Sequence, residues 1–279
     1  MTLSPRQVRD LLDEYGLAPS RALGQHFVVD PNTVRRIARL AGVGPGDRVV
    51  EIGPGLGSLT LALAETGAAV TAVEVDRHLL PALHRVVDPV GVRVVQGDAL
   101  RLDWDEVLGP AGSGPPWALV ANLPYNVATP LVLDLLAGVP AIDRMLVMVQ
   151  REVGERLAAR PGDKAYGIPS VKVAYRAEAE VVGRVPPTVF VPPPRVESVL
   201  VRLRRLPEPP VDADPDLLFR LVEAGFGQRR KMLRRSLAGL VEPAAFAAAG
   251  VRPEARAEEL DLRAWSRLAD AVWKGDRHE

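Results

Sequence analysis

Cysteine is absent from this 279-residue chain, which removes disulfides and thiolate metal ligation from consideration. The four histidines (His26, His78, His84 and His278) show no metal-ligand spacing, so no metal is expected. No Gly-x-Ser-x-Gly elbow occurs, and serine-hydrolase chemistry is set aside with it. No apolar run approaches the roughly 18 residues that a membrane helix requires. Met1 to Pro19 is amphipathic and charged, without the apolar core of a signal peptide. A soluble, monomeric, cytoplasmic protein with no membrane partner is the expectation.

Net charge is lacking too, since 35 Lys and Arg balance 35 Asp and Glu. The distribution says more than the sum. Residues 1–150 carry 12 basic and 16 acidic side chains, residues 151–236 carry 17 and 11, and residues 237–279 carry 6 and 8. Local sums of −4, +6 and −2 place a basic middle third beside a mildly acidic first half.

What is present is a regular alternation. β-Branched runs at Arg48–Ile52, Ala69–Glu74, Val92–Gln96, Ala118–Asn122 and Arg144–Gln150 are separated by helical patterns near Asn32–Ala41, Ser58–Glu65, Arg77–Val87 and Pro130–Ala137. This order predicts a parallel sheet covered by helices. Three more strand-like runs, Val171–Tyr175, Glu180–Val185 and Val196–Arg204, have no long helix between them, so the sheet is expected to end in an antiparallel pair. The Pro-rich LPEPPVDADP at Leu206–Pro215 reads as a linker, and Asp216–Leu240 and Pro243–Trp273 look helical. The expected organisation is an α/β domain over 1–206 and a small all-helical domain over 207–279.

Val49–Glu65, VVEIGPGLGSLTLALAE, reads as strand, glycine-rich turn and helix start. Gly53, Gly55 and Gly57 let the backbone turn and approach a ligand closely, and the following helix aims its amide donors there. A tight turn alone would have the same glycines. Two carboxylates in order favour a ligand. Glu74 ends the second strand, 21 residues after Gly53, where it can accept from both hydroxyls of a ribose. Asp98, after the third strand in QGDAL, can accept from an adenine amino group, although a helix cap would use an Asp equally well. The glycine turn has no Lys or Arg to meet phosphates. S-adenosylmethionine therefore suits it better than a dinucleotide, and the α/β domain reads as a Rossmann-like methyltransferase sheet.

Asn122-Leu123-Pro124-Tyr125 follows the fourth strand. The amino nitrogen of adenine is a weak nucleophile because its lone pair is delocalised into the ring. Two fixed acceptors, the Asn122 side-chain oxygen and the Leu123 carbonyl, would draw it toward tetrahedral geometry, with Pro124 stiffening the backbone and Tyr125 stacking on the base. A plain strand-to-loop turn is the competing explanation.

NLPYNVATP, EIGPGLGSLT, GQHFV and VPPTVFVPPPRVESVLVRL, in an ordered span from Arg21 to Leu237, together resemble the ribosomal RNA adenine dimethyltransferase family. The resemblance implies S-adenosylmethionine contacts from His26, Val28, Gly53, Glu74, Asp98 and Asn122. The family usually has Asn and Leu where this chain has His26 and Val28. It also implies that Phe190 lies across from Tyr125 and sandwiches an extruded base; core filler under a loop is the other reading. The implied substrate is a pair of adjacent adenosines near the 3′ end of 16S RNA in the 30S subunit.

GQRRKMLRRSL at Gly227–Leu237, read as one helix, puts Arg230 with Arg234 and Lys231 with Arg235 on one face. Arg229 lies beside them, and Phe226, Met232, Leu233 and Leu237 turn the other way. A face this basic suits RNA phosphates, although charge runs are often only solvated surface. Rival readings are a 23S RNA methylase of the macrolide-resistance type, a non-catalytic assembly factor and a small-molecule methyltransferase. The closing PPPRVES segment and basic run look more like the 16S type. Intact Glu74 and Asn122 argue against an inactive chain, and Asn-Leu-Pro-Tyr argues against a small-molecule substrate.

Overall fold

The computed structural model describes residues 2–20 and 23–275; Arg21 and His278 lie outside the described residues. Helix α1 (Pro5–Glu14) begins at a capping box in which Ser4 and Gln7 satisfy each other's backbone N–H groups. Strand β1 (Phe27–Val28) leads to α2 (Pro31–Ala41), started by the Asp30 carboxylate accepting from the Thr33 N–H at 2.8 Å. Strands and helices then alternate: β2 (Arg48–Ile52), α3 (Ser58–Ala64), β3 (Ala69–Glu74), α4 (Leu80–Val87), β4 (Arg93–Gln96), α5 (Trp104–Leu108), β5 (Trp117–Asn122), α6 (Ala128–Gly138) and β6 (Ile142–Gln150). After α7 (Arg151–Ala158) and α8 (Ile168–Ala174) come β7 (Ala177–Val185), β8 (Phe190–Val191) and β9 (Ser198–Arg205). The chain closes with α9 (Pro215–Gly227), α10 (Leu233–Ser236), α11 (Pro243–Ala249) and α12 (Leu262–Gly275).

Seven strands form one sheet in the order β4-β3-β2-β5-β6-β9-β7. The pairs from β4 to β6 are parallel, and β9 runs antiparallel to β6, the antiparallel ending expected from the sequence. Strand order reverses between β2 and β5: from β2 the chain moves outward through β3 and β4, then returns to place β5 on the other flank. Carboxyl ends of strands diverge at such a reversal and leave a crevice for a ligand. The strands beside it are buried on both faces, with Val49, Val50, Leu119 and Val120 at 0–1% exposure. That burial is why they read as unbroken apolar runs.

Two compact units divide the chain: Met1–Gly154 with Ala179–Arg205, and Glu155–Glu178 with Leu206–Glu279. The first holds the sheet. The second is helical, its core gathered around Trp265, Leu218, Leu221 and Leu233. Residues 155–178, which the sequence boundary at 206/207 leaves with the sheet, fall in the helical unit.

Two readings of local structure are corrected. Val171–Tyr175 is not a strand but part of α8 and its C-cap. Pro169 sits in its first turn, and the Ser170 hydroxyl accepts from the Gly167 N–H at 3.0 Å. Val171 and Tyr175, one helical turn apart, both enter the helical core, so packing overrides β-branched propensity. The basic run is not one helix either. α9 stops at Gly227, and the N–H groups of Leu233 and Arg234 donate to the carbonyls of Ala255 and Pro253 at 2.7 and 3.0 Å. With those donors drawn away, the helical ladder cannot run through residues 228–232.

Candidate active site

The β2–α3 turn builds the floor of the crevice. Gly53 and Gly55 have φ of 71° and 59°, a left-handed backbone that side chains disfavour. At Gly55 a Cβ would lie 2.9 Å from the Phe27 ring, so the turn and β1 close on each other only because that position is bare. A cavity of about 250 Å³ opens above the turn. Its lining brings together His26, Val28, Gly53, Gly55, Glu74, Asp98, Asn122, Leu123, Pro124 and Tyr125. Residues named from five separate stretches of sequence thus share one cavity.

Glu74, 4% exposed, accepts from the Gly55 N–H at 3.1 Å on one carboxyl oxygen and from the Asp76 N–H at 2.8 Å on the other. Burial pushes its carboxyl above the usual carboxylate range, while those two donors pull it back. Carboxyl oxygens accept more than one hydrogen bond, so both keep capacity toward a ligand. Asp98 accepts from the Leu100 N–H at 3.0 Å and lies 3.7 Å from Arg101; it caps its own turn while lining the cavity.

On the opposite wall the Asn122 side-chain amide donates to the His26 carbonyl at 3.0 Å. That bond fixes the orientation of the carboxamide and leaves its oxygen as an acceptor. Leu123 is 1% exposed, and its N–H donates to the Met148 carbonyl at 3.0 Å, tying the motif to β6. The Tyr125 hydroxyl pairs with the Ser198 hydroxyl at 2.9 Å, and burial raises the phenol above its ordinary range. The His26 ring stacks on the Tyr125 ring, centroids 5.3 Å apart and planes 29° from parallel.

Phe190 is corrected. It is 2% exposed, sits in the core of the sheet unit with Val28 and Ile37, and does not line the cavity. β8 pairs antiparallel with β1, setting Phe190 opposite Val28, and that pairing turns the ring inward.

The expected basic face is also redistributed. Arg229 is held at 2.6 Å by Glu258 and donates to the Lys164 carbonyl at 2.9 Å, a structural position. Arg234 lies 3.6 Å from Glu254. Arg230, Lys231 and Arg235 are exposed and have no ion-pair partner among the described residues. Met232, expected inside, is 41% exposed.

Three site residues escaped the sequence reading. Gln25 accepts from the Ser20 N–H at 2.8 Å and donates to Asp76 at 2.9 Å, tying the residues just before β1 to the loop after β3. Its place in GQHF was the available signal. Ser198 gave none. Glu51, a charge inside an apolar strand, was legible: it is 1% exposed, one carboxyl oxygen has no partner, and it lines the cavity. Burial first, and the charge of Glu74 after it, push the Glu51 carboxyl up to about 8. A buried acid with an unpaired oxygen, a glycine cradle and the Glu74 carboxyl together offer the donors and acceptors that fit a nucleoside such as S-adenosylmethionine. Among the described residues no cluster of His, Asp and Glu could hold a metal, and no helix is long and apolar enough to cross a membrane.

Comparison with known proteins identifies the family and the fold. The family model described as ribosomal RNA adenine dimethylase matches residues 19–274. The ribosomal RNA small subunit methyltransferase A of Thermobifida fusca is 50% identical over 279 aligned residues, covering 96% of this chain and 95% of that protein. Its namesake from Kineococcus radiotolerans is 51% identical over 277, covering 96% and 90%. Among solved structures, the 23S rRNA methyltransferase ErmE aligns with a TM-score of 0.66 at 28% identity, covering 88% of this chain and 99% of that one. A dimethyladenosine transferase from Plasmodium falciparum aligns with a TM-score of 0.72 at 22% identity, covering 90% and 98%, a likeness of fold. The Rossmann-like methyltransferase fold with C-terminal helices, expected from the sequence, is the fold found.

Proposed function

This chain belongs to the ribosomal RNA adenine dimethylase family, and from that premise we propose that it dimethylates two adjacent adenosines in the hairpin loop near the 3′ end of 16S RNA, using S-adenosylmethionine and acting on the 30S subunit in the cytoplasm. Relatives near 50% identity carry the small-subunit name, while the 23S enzyme stands at 28%, which favours the 16S substrate.

The observation that carries the chemistry is the Asn122 amide tied to the His26 carbonyl. It leaves the carboxamide oxygen to accept from the adenine amino group, beside the Leu123 carbonyl. Together the two acceptors hold the nitrogen with its lone pair out of conjugation with the ring. As that nitrogen gains positive charge its hydrogens become stronger donors, so the same contacts tighten in the transition state. Tyr125 provides a stacking face for the flipped base. Glu74 would hold the ribose hydroxyls of the cofactor and Asp98 its adenine amino group, with Gly53, Gly55, His26 and Val28 forming the cradle. When bound, S-adenosylmethionine supplies an electrophilic methyl group. Arg230, Lys231 and Arg235 of the helical unit would meet RNA phosphates.

Primer extension on 16S and 23S RNA from cells lacking the protein tests the substrate, because dimethylated adenine stops reverse transcriptase. Loss of a stop near the 3′ end of 16S RNA is expected. Loss of a 23S stop instead contradicts the proposal.

A further inference from the structure

Tyr125 is fixed at two points by side chains: its hydroxyl by Ser198 at 2.9 Å and one face of its ring by His26. The imidazole is itself anchored. Its Nδ1 lies 2.7 Å from the Pro192 carbonyl; a carbonyl only accepts, so Nδ1 carries the hydrogen and donates. The anchor follows from the β1–β8 pairing, which brings the residues flanking the two strands, His26 and Pro192, side by side.

Stacked layers need about 3.5 Å each, so a base between two rings needs them about 7 Å apart. The His26 and Tyr125 centroids are at 5.3 Å, too close to admit one. Phe190, the other aromatic expected here, is enclosed in the core. We infer that His26 is a positioning residue for the target base: its ring backs Tyr125, leaving the far face of Tyr125 as the stacking platform, while its backbone carbonyl orients Asn122. The bound state is then a ladder of adenine, Tyr125 and His26, and one residue sets both the stacking plane and the acceptor against which the amino nitrogen is held. The inference rests on the adenine-methylating function proposed above.

Substituting the side chain leaves the carbonyl contact to Asn122 in place, so variants at this position isolate the ring. His26→Ala removes ring and anchor, His26→Asn keeps an amide able to donate to the Pro192 carbonyl but has no ring, and His26→Phe keeps only the ring. The assay is single-turnover transfer of labelled methyl groups to unmethylated 30S subunits at saturating enzyme and S-adenosylmethionine, with cofactor affinity measured by titration. Misplacing a bound reactant slows chemistry more than it weakens binding. With cofactor saturating, His26→Ala and His26→Asn are expected to slow transfer by about 10-fold, and His26→Phe to recover to within about 3-fold of the wild-type rate. Wild-type transfer by His26→Ala, or a His26→Phe as slow as His26→Ala, overturns the inference while leaving the function standing. A wild-type protein that transfers no label overturns both.

Discussion

Asn122 and His26, 96 positions apart in the chain, are joined by a 3.0 Å hydrogen bond from the Asn122 amide to the His26 backbone carbonyl. The bond fixes the orientation of the carboxamide, and it links the residue before β1 to the motif at the end of β5. An Asn at a strand end is common; one whose carboxamide is held in a fixed orientation beside a cavity has a defined chemical use.

Glu74 is expected to dominate cofactor affinity. Glu74→Ala deletes the acceptor proposed for the ribose hydroxyls and releases the Gly55 N–H. Binding should weaken by on the order of 1.5–3 kcal/mol, or roughly 10- to 150-fold. Calorimetric titration of the folded variant with S-adenosylmethionine measures this, and unchanged affinity removes Glu74 from the cofactor site.

Glu51 makes the stability of the protein depend on pH. Its carboxyl is raised to about 8 in the folded chain against 4.5 for the free group, so folding takes up a proton between those values. The stabilising contribution is complete below about 4.5 and is lost as pH rises through about 8. Glu51→Gln keeps the neutral form at every pH. Its melting temperature relative to wild type should therefore climb between about pH 5 and about pH 8, and a difference that stays constant across that range contradicts a buried neutral acid.

The basic run should separate into two behaviours. Arg230→Ala, Lys231→Ala and Arg235→Ala combined should weaken binding to 30S subunits and reduce the log–log salt slope by roughly 0.7–0.9 for each phosphate that is no longer neutralised. Arg229→Ala should instead lower thermal stability, because it strips Glu258 and the Lys164 carbonyl of their partner. An unchanged salt slope in the triple variant reduces these side chains to solvated surface.

Much of the site was legible because its residues sit where the backbone forces a composition. A left-handed turn against Phe27 requires Gly55, and strand carboxyl ends at a topological reversal collect polar residues in order, which exposed Glu74, Asp98 and Asn122. The parallel strands were plain for the same reason, being apolar on both faces. What failed depended on partners distant in sequence. Val171–Tyr175 alternates like a strand, yet the helical core absorbs Val171 and Tyr175. Residues 228–232 have helical composition, but residues 253–255 take the donors that would continue the ladder. Phe190 sits in a Pro-rich segment suited to an exposed loop, and only its pairing with Val28 reveals that it points into the core. Ser198 and the His26 ring acquire their roles from the approach of the Tyr125 and Pro192 loops, which local pattern does not encode.

The most direct measurement is the rate of a single methyl transfer by Asn122→Ala on unmethylated 30S subunits, with enzyme and cofactor saturating. An acceptor that tightens as charge develops on nitrogen acts on the chemical step, so the rate should fall about 100-fold or more, equivalent to roughly 2.7 kcal/mol, while RNA affinity stays near wild type. Transfer at the wild-type rate would contradict the acceptor role and leave Asn-Leu-Pro-Tyr as no more than a turn.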